Sequence, residues 1–162
     1  MTPGSSRLPD LGPRGEGWFA IQLALFAAIV GLAFARVYWP ESAVDELTVI
    51  GIIAMVAGLA LFLLALFSAG AALSPFPRPN ERGALVDRGV YRTVRHPIYG
   101  AIVLIALGWS LAESPLALIP TALLALFLDL KARREEAWLV ERYPEYAAYQ
   151  SRTRRRFVPW LY

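Results

Sequence analysis

Two short stretches of this chain carry residue types that could do chemistry, and the first is Arg95-His96-Pro97. The proline directly precedes an apolar run and suits the first turn of a helix, so His96 lies at or next to the helix N-cap. Exposed amide groups and the positive end of the helix dipole then lie beside Arg95 and His96. This arrangement predicts a site for a carboxylate or a phosphate. The plainer alternative is that His96 only caps its helix.

The second stretch contains Glu135 and Glu136 near the end of a helical pattern that runs from about Pro115 to Tyr143. A helix of that length measures ~43 Å, which exceeds the ~30 Å hydrocarbon core of a bilayer. Its last turns are therefore predicted to extend beyond the membrane, on the same side as His96. The plainer alternative is a solvated, ion-paired helix end in which Glu135 pairs with Lys131 at i−4.

The composition indicates that these stretches belong to a membrane protein. Hydrophobic residues make up 57% of the 162 residues and charged residues 18%, whereas soluble domains have about 45–50% and about 25%. This excludes a disordered chain and an ordinary soluble enzyme. The chain has no cysteine and His96 is its only histidine, which excludes disulfides, thiolate nucleophiles and multi-histidine or cysteine-ligated metal sites. No metal site is predicted.

Four apolar runs must position the two stretches. The runs 18–35 and 47–73 are long enough to span a bilayer as helices, for which ~20 residues suffice. The shorter runs 98–112 and 116–128 are separated by three residues only and predict a tight helical hairpin. The predicted fold class is therefore an all-α integral membrane protein with about four transmembrane helices, including a short C-terminal helical hairpin. A re-entrant or interfacial hairpin is the alternative.

The distribution of charge predicts the orientation of these spans. Lysine and arginine concentrate in the N-terminus, in 74–97 and after Leu130, whereas the charged residues of 36–46 and 112–115 are mainly acidic. Under the positive-inside rule both termini are cytoplasmic, and the bacterial character of the composition places the chain in an inner membrane. Cleavage after Ala33-Phe34-Ala35 by a signal peptidase is the alternative for the first run, which is long for such a signal.

The same charges predict the partners. The basic and aromatic C-terminus is expected to bind anionic membrane lipids. Nucleic acid is not the predicted partner, because the basic cluster adjoins a membrane span. Within the second span Gly51, Ala54 and Gly58 share one face, which suits close packing of helices. The oligomeric state is not predicted.

Two motifs resemble those of a known superfamily. The segment 89–100, GVYRTVRHPIYG, resembles the G-x-Y-x-x-x-R-H-P-x-Y motif of the isoprenylcysteine carboxyl methyltransferase and phospholipid methyltransferase superfamily. The sequences EE-x-x-L at 135–139, YPEY-x-x-Y at 143–149 and RFVP at 156–159 resemble its C-terminal signature. The resemblance covers about residues 75–160. It implies a short member of a group of integral membrane enzymes that use S-adenosylmethionine without a Rossmann domain.

The resemblance also implies roles for particular residues. It implies that Glu136 and Arg142 are catalytic and lie at the reacting groups, with Arg142 suited to an acceptor carboxylate. The cofactor is expected to place its carboxylate at the helix start, its ammonium or ribose at a glutamate, and its adenine or sulfonium against tyrosine rings. The predicted cofactor-binding residues are Tyr91, Arg95, His96, Pro97, Tyr99, Glu135 and Tyr146. For a single tyrosine, an interface anchor is the plainer alternative.

With the resemblance, the chain divides into five predicted segments. They are a flexible cytoplasmic tail (1–17), two transmembrane helices (18–73), a cytoplasmic connector (74–97), the transmembrane hairpin (98–130) and a cytoplasmic segment that caps the cofactor (131–162).

The predicted function is methyl transfer from S-adenosylmethionine to a lipophilic acceptor that enters from the bilayer. The acceptor stays open between a prenyl or fatty chain, a phospholipid amine, a small thiol and a terpenoid acid. An amine or thiol would need a base, for which His96 and Glu136 are candidates. The alternatives are an NADPH-dependent membrane reductase and a non-catalytic membrane scaffold. The glutamate pair favours a cationic sulfonium over a polyanionic dinucleotide.

Overall fold

A computed structural model of the chain describes residues 8–78 and 84–158. Within these ranges the regular structure is helical. The α-helices are α1 (Glu16–Ala33), α2 (Glu41–Ala69), α3 (Pro97–Glu113), α4 (Leu118–Arg142) and α5 (Tyr146–Arg152). Short 3₁₀ turns occupy Gly70–Ala72, Gly89–Arg92 and Pro115–Ala117. The predicted all-helical class is confirmed for the described residues.

Among the described residues, three helical segments are long and apolar enough to cross a membrane: α1, α2 and Pro115–Arg142. The apolar helix α3 has 17 residues, or about 25 Å at 1.5 Å per residue, which is shorter than the ~30 Å core. Its crossing of the membrane, and with it the count of four spans, stays a prediction. Helix α2 begins at Glu41, before the predicted Leu47, since an acidic first turn suits a helix N-terminus.

Helices α2 and α3 pack with their backbones almost in contact. A Cβ atom built on Gly51 would lie 2.5 Å from the carbonyl oxygen of Gly108, and one on Gly58 would lie 3.0 Å from that of Ala101. Only glycine allows this approach, as at small-residue interfaces of membrane helices. The predicted packing role is confirmed for these two glycines of α2.

The substitution Gly108→Ala is expected to destabilise this pair by about 1–3 kcal/mol, the usual cost of overpacking. The added Cβ would lie 2.7 Å from Cγ and 2.8 Å from the backbone nitrogen of Met55. Equilibrium unfolding in mixed detergent micelles measures the effect. The matched control is Gly31→Ala, whose Cβ would meet nothing within 4 Å, and equal effects from both substitutions would contradict the prediction.

Helix α1 packs on α4, and the hairpin closes the bundle. The rings of Trp18 and Phe127 lie 5.4 Å apart, and Leu124 and Leu128 are buried. At the hairpin turn the Ser114 hydroxyl donates to the Val37 carbonyl oxygen at 2.7 Å and accepts from the Leu116 amide at 3.3 Å. The first contact ties the predicted tight turn to the segment between α1 and α2, and the second lies within the turn itself.

The segment 8–15 packs against the end of the bundle, a contact that the prediction of a flexible tail over 1–17 did not include. The Trp18 indole donates to the Pro9 carbonyl oxygen at 3.1 Å, and the Arg78 guanidinium donates to that of Pro13 at 2.7 Å. Asp10 forms an ion pair with Arg134 of α4. The segment therefore braces the connector that follows α2. Residues 1–7 lie outside the described part of the chain.

Candidate active site

A cavity of about 340 Å³ lies where the connector after α2, the start of α3 and the end of α4 meet. This volume is in the range of small-molecule sites, about 300–1,000 Å³. Part of the lining is apolar and includes Phe19, Phe62, Leu66, Ala69, Ile98 and Ile102. The lining also carries polar and aromatic groups: Gln22, Tyr91, Arg95, His96, Tyr99, Lys131, Glu135, Tyr143, Tyr146 and Tyr149. Six of the seven predicted cofactor-binding residues line the cavity.

His96 is the N-cap residue of α3, as predicted, but its side chain does not cap the helix. Its Nε2 lies 3.1 Å from Oε1 of Glu136, and its Nδ1 lies 3.8 Å from Oε2 of Glu135. Because an ionised carboxylate only accepts hydrogen bonds, Nε2 carries a proton. The alternative that His96 only caps its helix is wrong, since the imidazole lies between the two glutamates.

Glu136 lies behind the wall of the cavity and is 6% exposed. Its carboxylate accepts from Arg95 Nε at 2.7 Å, from His96 Nε2 at 3.1 Å and from Gln150 Nε2 at 3.1 Å. It is absent from the described residues that line the cavity. Three donors, from the start of α3 and from α5, make Glu136 the centre of a buried polar network. Its predicted catalytic role stays a prediction.

Glu135 is the glutamate that faces the cavity. Its Oε2 accepts from the Tyr99 hydroxyl at 2.7 Å, and 27% of its side chain is exposed. The rings of His96 and Tyr99 stack at 5.4 Å with 2° between their planes. The hydroxyl and the imidazole therefore fix where this carboxylate lies.

The backbone amides at the start of α3 are engaged by the C-terminal segment. The Arg95 and His96 amides donate to the carbonyl oxygens of Arg155 and Arg156 at 3.0 and 2.7 Å. The Arg95 guanidinium also donates to the carbonyl oxygens of Thr153 and Arg154, at 2.6 and 2.8 Å. These two amides, directly before the first residue of α3, are therefore satisfied by main-chain carbonyls, and the anion site predicted at the helix start stays a prediction.

Three tyrosines of the wall are held in their neutral form. Burial raises the pKa of Tyr91, Tyr146 and Tyr149 well above the ordinary value, because loss of water disfavours the phenolate. The Tyr149 hydroxyl donates to the Tyr91 carbonyl oxygen at 2.7 Å, which joins α5 to the motif turn, the 3₁₀ turn Gly89–Arg92 before α3. These groups offer neutral aromatic faces and hydroxyls at physiological pH.

Arg142 and Pro97 lie outside the set of described lining residues. Arg142 is exposed at the end of α4, with its guanidinium carbon 5.6 Å from the ring centre of Tyr143, which does line the cavity. Pro97 is buried as the first residue of α3 and sets the direction of that helix. The roles predicted for these two residues stay predictions.

The sequence prediction missed Lys131 and Gln22. Lys131 was predicted only as an ion-pair partner of Glu135 on a solvated helix end. Instead it is 1% exposed, and its Nζ donates to Gln22 Oε1 at 2.7 Å and to the Pro75 carbonyl oxygen at 3.1 Å. The available signal was that Gln22 is the only strongly polar side chain of the first apolar run.

The match to a known family covers this site. A family model described as phospholipid methyltransferase matches residues 47–146, more than half of the chain. The chain belongs to the phospholipid methyltransferase family. The match runs from α2 to the start of α5 and includes the motif turn, α3 and both glutamates. A comparison with curated proteins gave no match. Family membership confirms the predicted resemblance and makes the chain a membrane methyltransferase by family.

Proposed function

We propose that this family member transfers a methyl group from S-adenosylmethionine to a lipophilic acceptor at the cytoplasmic face of the membrane. One observation carries the proposal: the same cavity is lined by apolar residues such as Phe19, Phe62 and Ile102 and by Glu135 and several tyrosines. The apolar lining suits an acceptor from the bilayer, and the polar and aromatic lining suits a polar, positively charged cofactor.

The lining groups fit S-adenosylmethionine by their chemistry. Glu135 would hold the ammonium or the ribose hydroxyls, as a carboxylate accepting charge-assisted hydrogen bonds. The faces of Tyr91, Tyr146 and Tyr149 would receive the adenine or the sulfonium, since aromatic rings attract cations. The cofactor supplies an electrophilic methyl group. A polyanionic dinucleotide would instead meet the Glu135 carboxylate and suit this cavity poorly.

The chain's own residues would align the acceptor and exclude water, which is the main task in an in-line displacement. His96 donates Nε2–H to Glu136, so Nδ1 is the acceptor nitrogen whenever the imidazole carries a single proton. An amine or thiol acceptor could lose its proton to Nδ1, whereas a carboxylate needs no base at neutral pH. Glu136 then acts as a positioning residue.

The charge distribution supports a cytoplasmic site in a bacterial inner membrane. Arg88, Arg92, Arg154 and Arg155 are exposed at the end of the bundle that holds the cavity. Basic residues at one end of a helical bundle mark the cytoplasmic side and attract anionic lipid head groups. This end also carries the described N-terminal segment and the C-terminal segment, which supports a cytoplasmic location for both.

Binding of S-adenosylhomocysteine to the detergent-purified protein tests the proposal by calorimetry. We expect binding, with Glu135→Gln weakening it about ten-fold or more, because a hydrogen bond to a charged group contributes about 1.5–3 kcal/mol. The matched control is Glu141→Gln, an exposed position of the same helix, which should leave the affinity unchanged. Preference for NADPH would indicate a reductase instead, and binding of neither compound would indicate a non-catalytic scaffold.

A further inference from the structure

Lys131 is a buried cation on the wall of the cavity, outside the set of residues that the two motifs supply. Its side chain comes from α4, Gln22 comes from α1 and Pro75 from the connector, so three separate parts of the chain position one ammonium group. Its Nζ also lies 5.3 Å from the centre of the Tyr99 ring. The group is thus built into the site with a defined orientation.

The charge of this ammonium is incompletely matched by its hydrogen-bond partners. Both oxygens that accept from it, of Gln22 and Pro75, belong to neutral groups. An ammonium has three N–H donors. Within the described part of the chain two of them are used, so one is left for a ligand. Glu135, one turn further along α4, attracts the charge, but its carboxylate accepts from Tyr99 and faces the proposed cofactor. A buried charge among neutral partners favours an added anion.

The position of Lys131 suits a lipophilic acceptor. Its partner Gln22 lies one turn from Phe19 on α1, and both residues line the cavity. A lipophilic molecule packed against Phe19 would bring its head group towards Nζ. In a site with low dielectric, the Lys131 ammonium strongly attracts an anionic head group and strongly repels a cationic one.

We infer that Lys131, oriented by Gln22 and the Pro75 carbonyl, binds an anionic head group of the acceptor. The inference rests on the proposed function and specifies its substrate class: lipophilic molecules with a carboxylate or a phosphate are selected over those with an ammonium. Gln22 acts as a positioning residue, since its amide oxygen holds the ammonium without neutralising it.

The test compares three amphiphiles with the same C18 chain: oleate, oleyl phosphate and oleylamine. Binding is measured to the full-length protein in nanodiscs of zwitterionic lipid, with S-adenosylhomocysteine present. The wild type should bind the anions about ten-fold or more tightly than the amine, as expected for a charge-assisted hydrogen bond. The comparison of oleate with oleyl phosphate tells which anion is preferred.

Two substitutions act on the same ammonium in different ways. Gln22→Glu changes little in shape but places a carboxylate beside Nζ, so it should remove the preference for anions while the helices stay packed. Lys131→Met should lower the affinity for both anions about ten-fold and leave that for oleylamine unchanged or higher. Arg133→Met, on the exposed face of the same helix, is the control that should keep the preference.

Several results would overturn the inference. One is the absence of a preference for anions in the wild type, and another is its survival in both Gln22→Glu and Lys131→Met. A third is a loss of S-adenosylhomocysteine affinity in Lys131→Met without a loss for 5′-methylthioadenosine, which lacks the carboxylate. Lys131 would then bind the cofactor. Amphiphile binding is also measured without S-adenosylhomocysteine. Failure of the wild type to bind S-adenosylhomocysteine therefore contradicts the proposed function, whereas the preference for anions is judged on its own.

Discussion

The substitution Glu136→Ala is expected to lower the free energy of unfolding by about 3–5 kcal/mol, the cost of removing one partner of a buried ion pair. The carboxylate accepts hydrogen bonds from Arg95, His96 and Gln150, and its loss leaves those donors buried without their acceptor. Since Arg95 and His96 also line the cavity, affinity for S-adenosylhomocysteine should fall as well. Equilibrium unfolding in mixed micelles and calorimetry measure the two effects.

The conservative and the matched substitutions separate positioning from chemistry. Glu136→Gln keeps an oxygen for Arg95 but loses the charge, so its cost should be about 1–3 kcal/mol. Glu141→Ala, exposed on the same helix, should change stability by less than about 0.5 kcal/mol. If Glu136→Ala cost no more than Glu141→Ala, the buried network would not stabilise the fold. If it abolished methyl transfer with stability and cofactor affinity intact, Glu136 would be catalytic as predicted.

Local sequence patterns predicted the helices and the residues at their ends. The long apolar runs identify helices because a bilayer imposes a minimum length, and Pro97 marks the start of α3 because proline is favoured in a first helical turn. The lining role of His96, Tyr99 and Glu135 followed from motifs within the same two stretches. Their mutual contacts, such as Tyr99 with Glu135, link positions that each stretch had already singled out.

Contacts between distant polar residues could not be predicted in this way. Asp10 and Arg134 are 124 positions apart, and Gln22 and Lys131 are 109 apart. Periodicity describes which face of a helix is apolar, but it does not tell which polar group of another segment lies opposite. The same limit explains the amides at the start of α3. Their exposure was inferred from local rules, whereas the carbonyls that engage them come from the far end of the chain.

The substitution Gly100→Ala is expected to detach the C-terminal segment from α3. A Cβ at this position would collide with the carbonyl oxygen of Phe157 and lie 2.7 Å from its carbonyl carbon. Both are backbone atoms that no side-chain rotation can move, so the segment must shift. The adjacent bonds from the Arg95 and His96 amides to the segment's carbonyl oxygens should then lengthen or break. The cost should be about 1–3 kcal/mol, as for other overpacked sites.

Limited proteolysis gives the most direct measurement of this change, because the segment 152–156 contains four arginines and trypsin cleaves after arginine. A protease needs locally opened backbone, so cleavage should be slow in the wild type and about ten-fold faster in Gly100→Ala, if opening becomes about 1.4 kcal/mol easier. Gly31→Ala should cleave as the wild type does. Cofactor affinity should fall in parallel, because Tyr146 and Tyr149 of α5 lie directly before this segment and line the cavity. Unchanged proteolysis together with unchanged affinity would mean that α3 tolerates the alanine side chain at position 100 without moving the segment. The close packing of Gly100 against Phe157 would then have no part in forming the site.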